Sequence, residues 1–128
     1  NLNDAQREAV TAAARPTLVI AGAGSGKTRV LVHRAAWLID VEGVSPHSLL
    51  AVTFTNKAAA EMQQRIAGLL GSRLQERPVI STFHAHCVRV LRRHIRRLGY
   101  PERFAIYDRG DQESLARGVL RENDRRAS

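Results

Sequence analysis

The stretch that most constrains this chain is "VIAGAGSGKTRVL", residues 19–31. An apolar run leads into three glycines within five positions, a Lys-Thr pair follows, and apolar residues resume. Thr17–Ala21 does not alternate in polarity, which predicts a strand buried on both faces, as in a parallel sheet. Lys27 or Thr28 opens a helix that carries Leu31, Ala35 and Leu38 at helical spacing. A glycine-rich turn between a buried strand and a helix N-terminus suits an anion. Gly22, Gly24 and Gly26 allow positive φ and close backbone approach. Successive N–H groups can then line a nest under the positive end of the helix dipole.

Gly26-Lys27-Thr28 ends the P-loop pattern G-x-x-x-x-G-K-[ST], with Ala21 standing where the pattern has its first glycine. In such a loop Lys27 reaches the terminal phosphates and Thr28 offers its hydroxyl to Mg²⁺.

The remaining chain alternates strand and helix. Residues 2–10 read as a short helix, with Asn3 as cap and Gln6 completing a capping box. Arg15-Pro16 ends it. Residues 41–48 form a loop. "LLAVTFT" (49–55) is a second buried strand, and Asn56 to Leu70 a helix with Ala58, Met62, Ile66 and Leu69 on one face, ended by Gly71. "VISTF" (79–83) is a third strand. His84 to Leu98 is a helix stopped at Gly99 and Pro101. "FAIYD" (104–108) is a short strand or extended link, Asp111 to Glu122 a last helix, and the polar tail frays. This order predicts an α/β layered fold with a parallel sheet.

Composition adds bounds. The 128 residues suffice for one domain or part of one, and the formal charge of +8 favours a polyanionic partner without separating a nucleic-acid binder from an ordinary basic protein. No apolar run approaches a membrane span, and the N-terminal residues do not read as a secretory signal. The lone Cys87 excludes an internal disulfide and fits a reducing cytoplasm. His84, His86 and Cys87 point apart on a helix and lack a fourth ligand, so zinc is not expected. Arg89, Arg92, Arg93, Arg96 and Arg97 make the polar side of the fourth helix, usually a solvated face.

"LNDAQREAV" (2–10), "AGAGSGKT" (21–28), "LLAVTFTNKAAAEMQQRI" (49–66) and "ISTFHAHCVRVLRR" (80–93) together resemble the Q motif and motifs I, Ia and Ib of UvrD/Rep/PcrA-type superfamily 1 DNA helicases. "FAIYDRGDQESLARGVL" resembles the segment that follows in that family, where Ala21 at the loop's start is usual. The resemblance implies a P-loop NTPase with a partial RecA-like α/β domain over residues 1–98. An inserted helical subdomain would begin at 99–128. It implies ATP with Mg²⁺, 3′→5′ movement on single-stranded DNA and a cytoplasmic, nucleoid-associated setting. Gln6 would read adenine. Ala21, Gly22, Ala23, Gly24, Ser25, Gly26, Lys27 and Thr28 would hold triphosphate, with Thr28 on the metal, and Arg29 would lie near the base. Thr53, Phe54, Thr55, Asn56, Thr82, Phe83 and His84 would border DNA. Residue type alone gives rivals: Gln6 as a helix cap only, Phe54 as core, and Phe83 as core or stacking platform.

A carboxylate on a second strand normally holds Mg²⁺ and positions water. The family carries an Asp-Glu pair there, and this sequence has no Asp-Glu dipeptide. Asp108 reads as structural. The chain therefore reads as the amino-terminal piece of a helicase, ending after motif Ib and without hydrolysis of its own. The rest of the helicase chain would be its partner. A small phosphotransferase using Asp108, or a non-enzymatic nucleic-acid binder with a vestigial loop, are the alternatives.

Overall fold

A computed structural model describes residues 1–127. The chain divides into two compact units, Asn1–Val88 and the residues from Arg89 onward. The first holds α1 (Asp4–Thr11), α2 (Lys27–Asp40), β1 (Leu50–Thr53), α3 (Asn56–Leu70), β2 (Val79–Thr82) and the start of α4 (Phe83–His94). β1 and β2 pair in parallel, with Leu50 opposite Val79 and Thr53 opposite Thr82. α3 is the crossover between them, as a parallel pair requires.

The core is the layer where α2 and α3 meet the sheet. Val32, Ala35, Ala59, Met62, Ile66, Leu70 and Ile80 are buried together, and Ala36, Ile39, Leu49, Ala51 and Leu74 pack on them. The buried face of α2 is thus Val32, Ala35 and Ile39, not Leu31 and Leu38 as its periodicity suggests; Leu31 is half exposed. On α3 the stripe is Ala59, Met62, Ile66 and Leu70, one residue round from the predicted Ala58 and Leu69 at its ends. Both choices fit a 3.6-residue period, and the position of the sheet decides between them.

Thr17–Ala21 is not a strand. Leu18 and Ile20 are 84% and 90% exposed. A strand exists only through hydrogen bonds to a neighbour, and among the described residues the sheet has two strands, neither beside this segment. The other two predicted strands are shorter than expected because each hands over to a helix cap. Thr55 Oγ1 accepts from Ala58 N at 3.1 Å, and Thr82 Oγ1 accepts from Ala85 N at 3.1 Å.

α1 is fastened at both ends. Asn3 Oδ1 accepts from Gln6 N (2.8 Å) and Gln6 Oε1 accepts from Asn3 N (3.0 Å), the reciprocal box its sequence predicts. At the other end the Arg34 guanidinium on α2 donates to the carbonyls of Val10 (2.7 Å), Ala12 and Ala13 (3.1 Å). A cation on the carbonyl end of a helix opposes the dipole and satisfies groups the helix leaves unpaired.

In the second unit α4 gives way at His94 to a 3₁₀ turn, Ile95–Leu98, closed by Gly99 at φ +81°, so the long helix predicted to Leu98 tightens in its last turn. Arg92 lies over the Phe104 ring, 5.9 Å from its centroid, and Arg96 pairs with Glu102 at 2.9 Å. "FAIYD" is an extended link. α5 (Arg109–Ala127) starts two residues earlier than expected. Asp108 and Asp111 form a reciprocal cap: Asp111 N donates to Asp108 Oδ1 (2.8 Å) and Asp108 N to Asp111 Oδ2 (3.1 Å). The helix also runs on to Ala127, into the tail expected to fray (121–128, of which Ser128 lies outside the described residues), and there Arg126 bonds Glu122 one turn back (3.0 Å). Among the described residues no helix is long and apolar enough to cross a membrane.

Candidate nucleotide loop and strand-end aromatic pair

The glycine loop runs from Ala21 into α2. Gly24 and Gly26 take φ +72° and +80°, a region that costs a residue with a Cβ about 1–2 kcal/mol. Gly22 lies outside that region, so the expectation of positive φ holds for two of the three glycines. Gly26 carries a second constraint. A Cβ there would sit 3.0 Å from Gln6 Nε2. Gln6 Nε2 donates to Ser25 O at 3.0 Å, which joins the first turn of α1 to the loop.

Lys27 Nζ donates to Gly22 O (2.7 Å) and Ala21 O (3.2 Å), and Ser25 Oγ also donates to Gly22 O (2.6 Å). The ammonium is therefore held at the mouth of the loop by carbonyls of residues 21 and 22. Gly26 is the N-cap of α2, and Val30 N donates to Gly26 O at 3.1 Å, the first turn of that helix. The N–H groups of the first turn have no partner within a helix. Lys27, Thr28 and Arg29 are exposed beside them. These are the donors, the cation and the hydroxyl that a polyphosphate with a hard divalent cation calls for. Between the loop and α1 lies a cavity of about 410 Å³ whose walls include Ala5, Ala9, Val19, Ile20, Val30 and Leu31, with Gln6 and Lys27 also on its lining.

A second cluster sits at the carboxyl ends of the strands. Thr53 and Thr82 are register partners, so Phe54 and Phe83 leave adjacent strands side by side. Their ring centroids are 5.3 Å apart with planes tilted by 43°. Phe54 is 87% exposed and Phe83 45%. This overturns the core reading of Phe54, which its apolar neighbours in sequence suggest. Burial ends at the last strand residue, and the chain turns into the α3 cap immediately after. Thr53 Oγ1 donates to Thr55 O at 3.0 Å, which tightens that turn. Asn56 and His84, first and second residues of the helices that follow, are exposed next to the rings. The structure thus gathers Thr53, Phe54, Thr55, Asn56, Thr82, Phe83 and His84 at one end of the sheet.

Two long-range contacts that hold α1 in place carried no legible signal. Arg34 is one arginine on an amphipathic helix, and its carbonyl partners lie at least 21 residues away in sequence. Gln6 showed its cap, through the three-residue spacing from Asn3, but not its bond to a loop 19 residues on.

The sequence model of the UvrD/REP helicase N-terminal domain matches residues 2–128. The chain is 52% identical over 123 residues to the ATP-dependent DNA helicase PcrA of Staphylococcus epidermidis, covering 94% of this chain. It is 50% identical over 123 residues to the ATP-dependent DNA helicase PcrA of Bacillus subtilis, covering 96%. It spans about 16% of the length of these relatives. With most of its residues matched, the chain belongs to the UvrD/REP helicase N-terminal domain family.

Proposed function

We propose that this chain is the amino-terminal, ATP-binding part of an ATP-dependent helicase that moves 3′→5′ on single-stranded DNA. The observation that carries the reading is the loop at residues 21–28: left-handed Gly24 and Gly26, a helix N-terminus, and Lys27 at its mouth. Residues 1–98 form the first part of a RecA-like P-loop domain, and 99–128 begin an inserted helical subdomain. That the relatives are ATP-dependent DNA helicases agrees with this.

The backbone of Ala21, Gly22, Ala23, Gly24, Ser25 and Gly26 cradles the triphosphate. Lys27 exchanges its carbonyl partners for phosphate oxygens. The Thr28 hydroxyl ligates Mg²⁺, Arg29 lies near the base and Gln6 reads adenine. ATP supplies a phosphoryl group whose transfer Mg²⁺ assists by neutralising developing charge. Phe54 and Phe83 offer π-faces to successive bases, with Thr53, Thr55, Asn56, Thr82 and His84 as polar neighbours of the strand. The phosphotransferase alternative needs a free carboxylate at Asp108, and that carboxylate is engaged in capping α5.

The isolated chain should bind Mg·ATP yet release phosphate no faster than a protein-free control, because it has no Asp-Glu pair to hold the metal and position water. Steady-state release well above the control, lost in Asp108→Ala, would replace this reading with the phosphotransferase.

A further inference from the structure

The bond from Gln6 to the loop serves neither the helix cap nor the reading of a base. A trans peptide holds its C=O and N–H antiparallel, and the chain has no cis peptide bond. Because Ser25 O faces Gln6 Nε2, the N–H of Gly26, on the same peptide, faces away from α1. That N–H begins the row of unpaired donors at the start of α2. Two features keep the arrangement in place. The carboxamide is anchored through Oε1, which accepts from Asn3 N at 3.0 Å. The absence of a side chain at Gly26 lets Nε2 approach to where a Cβ would be only 3.0 Å away.

We propose that Gln6 is a positioning residue for the glycine loop: its bond to Ser25 O orients the Ser25–Gly26 peptide so that Gly26 N–H is presented to the phosphate chain. The inference rests on the nucleotide reading above and adds to it. A carboxamide donates two hydrogen bonds and accepts two. The cap and the tether use one of each, so one N–H and one lone pair remain for a base. Gln6 thereby links base, loop and helix start through one planar group, and its contribution to phosphate binding does not depend on which base is present.

The test uses a ligand without a base. Magnesium tripolyphosphate is titrated calorimetrically into the wild-type chain, Lys27→Ala, Gln6→Glu and Gln6→Met, with thermal melts of each to fix the folded fraction. Gln6→Glu keeps the capping-box acceptor and removes the donor to Ser25 O. Gln6→Met removes the donor without adding charge. Loss of one net hydrogen bond predicts that both weaken tripolyphosphate binding by roughly three- to tenfold after correction for folded fraction. Unchanged affinity in both, with ATP-over-GTP preference reduced, would overturn the inference and leave Gln6 as a base reader. Weakening in Gln6→Glu alone would assign the effect to charge, and weakening that tracks only unfolded protein would assign it to the cap; either overturns the inference. Wild-type chain that binds tripolyphosphate no better than Lys27→Ala would instead bring down the nucleotide reading, and this inference with it.

Discussion

Gln6 shows how much can hang on one side chain. Its carboxamide closes the α1 capping box and tethers the glycine loop. The remaining donor and acceptor match adenine, which offers N7 and the N6 amino group, and mismatch guanine, which presents acceptors at both N7 and O6. The chain should therefore prefer ATP to GTP, by up to ~1–3 kcal/mol for a good bidentate pair. Gln6→Ala should narrow that gap and also lower the melting temperature through the lost cap. Nucleotide titrations beside thermal melts check both effects; an unchanged ATP/GTP ratio with a lower melting temperature would leave only the cap. The cap was legible because capping boxes have a fixed three-residue spacing. The tether was not, since contacts across 19 residues depend on how α1 docks, and Arg34, on α2, bonds the carbonyl end of that helix.

At the scale of elements, the helices were easier to read than the strands. α3 runs from Asn56 to Leu70, the limits its sequence predicts, because Thr55 caps it and Gly71 follows it. Its buried face is the expected one at Met62 and Ile66 and one residue off at its ends, where Ala59 and Leu70 are buried instead of Ala58 and Leu69, since periodicity gives the width of a stripe and only the neighbouring sheet gives its direction. Ile66 and Met62 are the centre of that face, at 1% and 2% exposure. Ile66→Ala should lower unfolding free energy by ~2–5 kcal/mol in urea melts, the cost of a truncation in a packed core. Phe54 and Phe83 should behave differently. They are exposed and paired at the strand ends, so their loss should affect binding more than stability. If the rings stack bases, Phe54→Ala and Phe83→Ala should each weaken single-stranded DNA binding by ~1–3 kcal/mol with little change in melting. The binding itself should weaken steeply with salt, because phosphate contacts release counterions. Affinity lost only in step with folded protein would return the rings to a structural role.

For the whole molecule, the α/β class and the parallel pairing followed from alternating apolar runs and helical periods, but Thr17–Ala21 did not join the sheet. Five apolar residues state a preference for burial and cannot supply the neighbouring strand that realises it. Leu18 and Ile20 are left in solvent, as is Phe54. Such apolar surface, and the two edges of a two-stranded sheet, invite pairing between chains. Light scattering should show mass rising with protein concentration, and a sharp monomer at high concentration would contradict this. The local geometry of the glycine loop, positive φ at Gly24 and Gly26 and a helix starting at Lys27, was legible because these residues are contiguous. The most direct measurement is a calorimetric titration of Mg·ATP into the wild-type chain and Lys27→Ala. The account predicts saturable binding by the wild type and loss of most of it in the variant, whose triphosphate has no cation to meet at the mouth of the loop. Equal affinity in the two proteins, both folded, would contradict it.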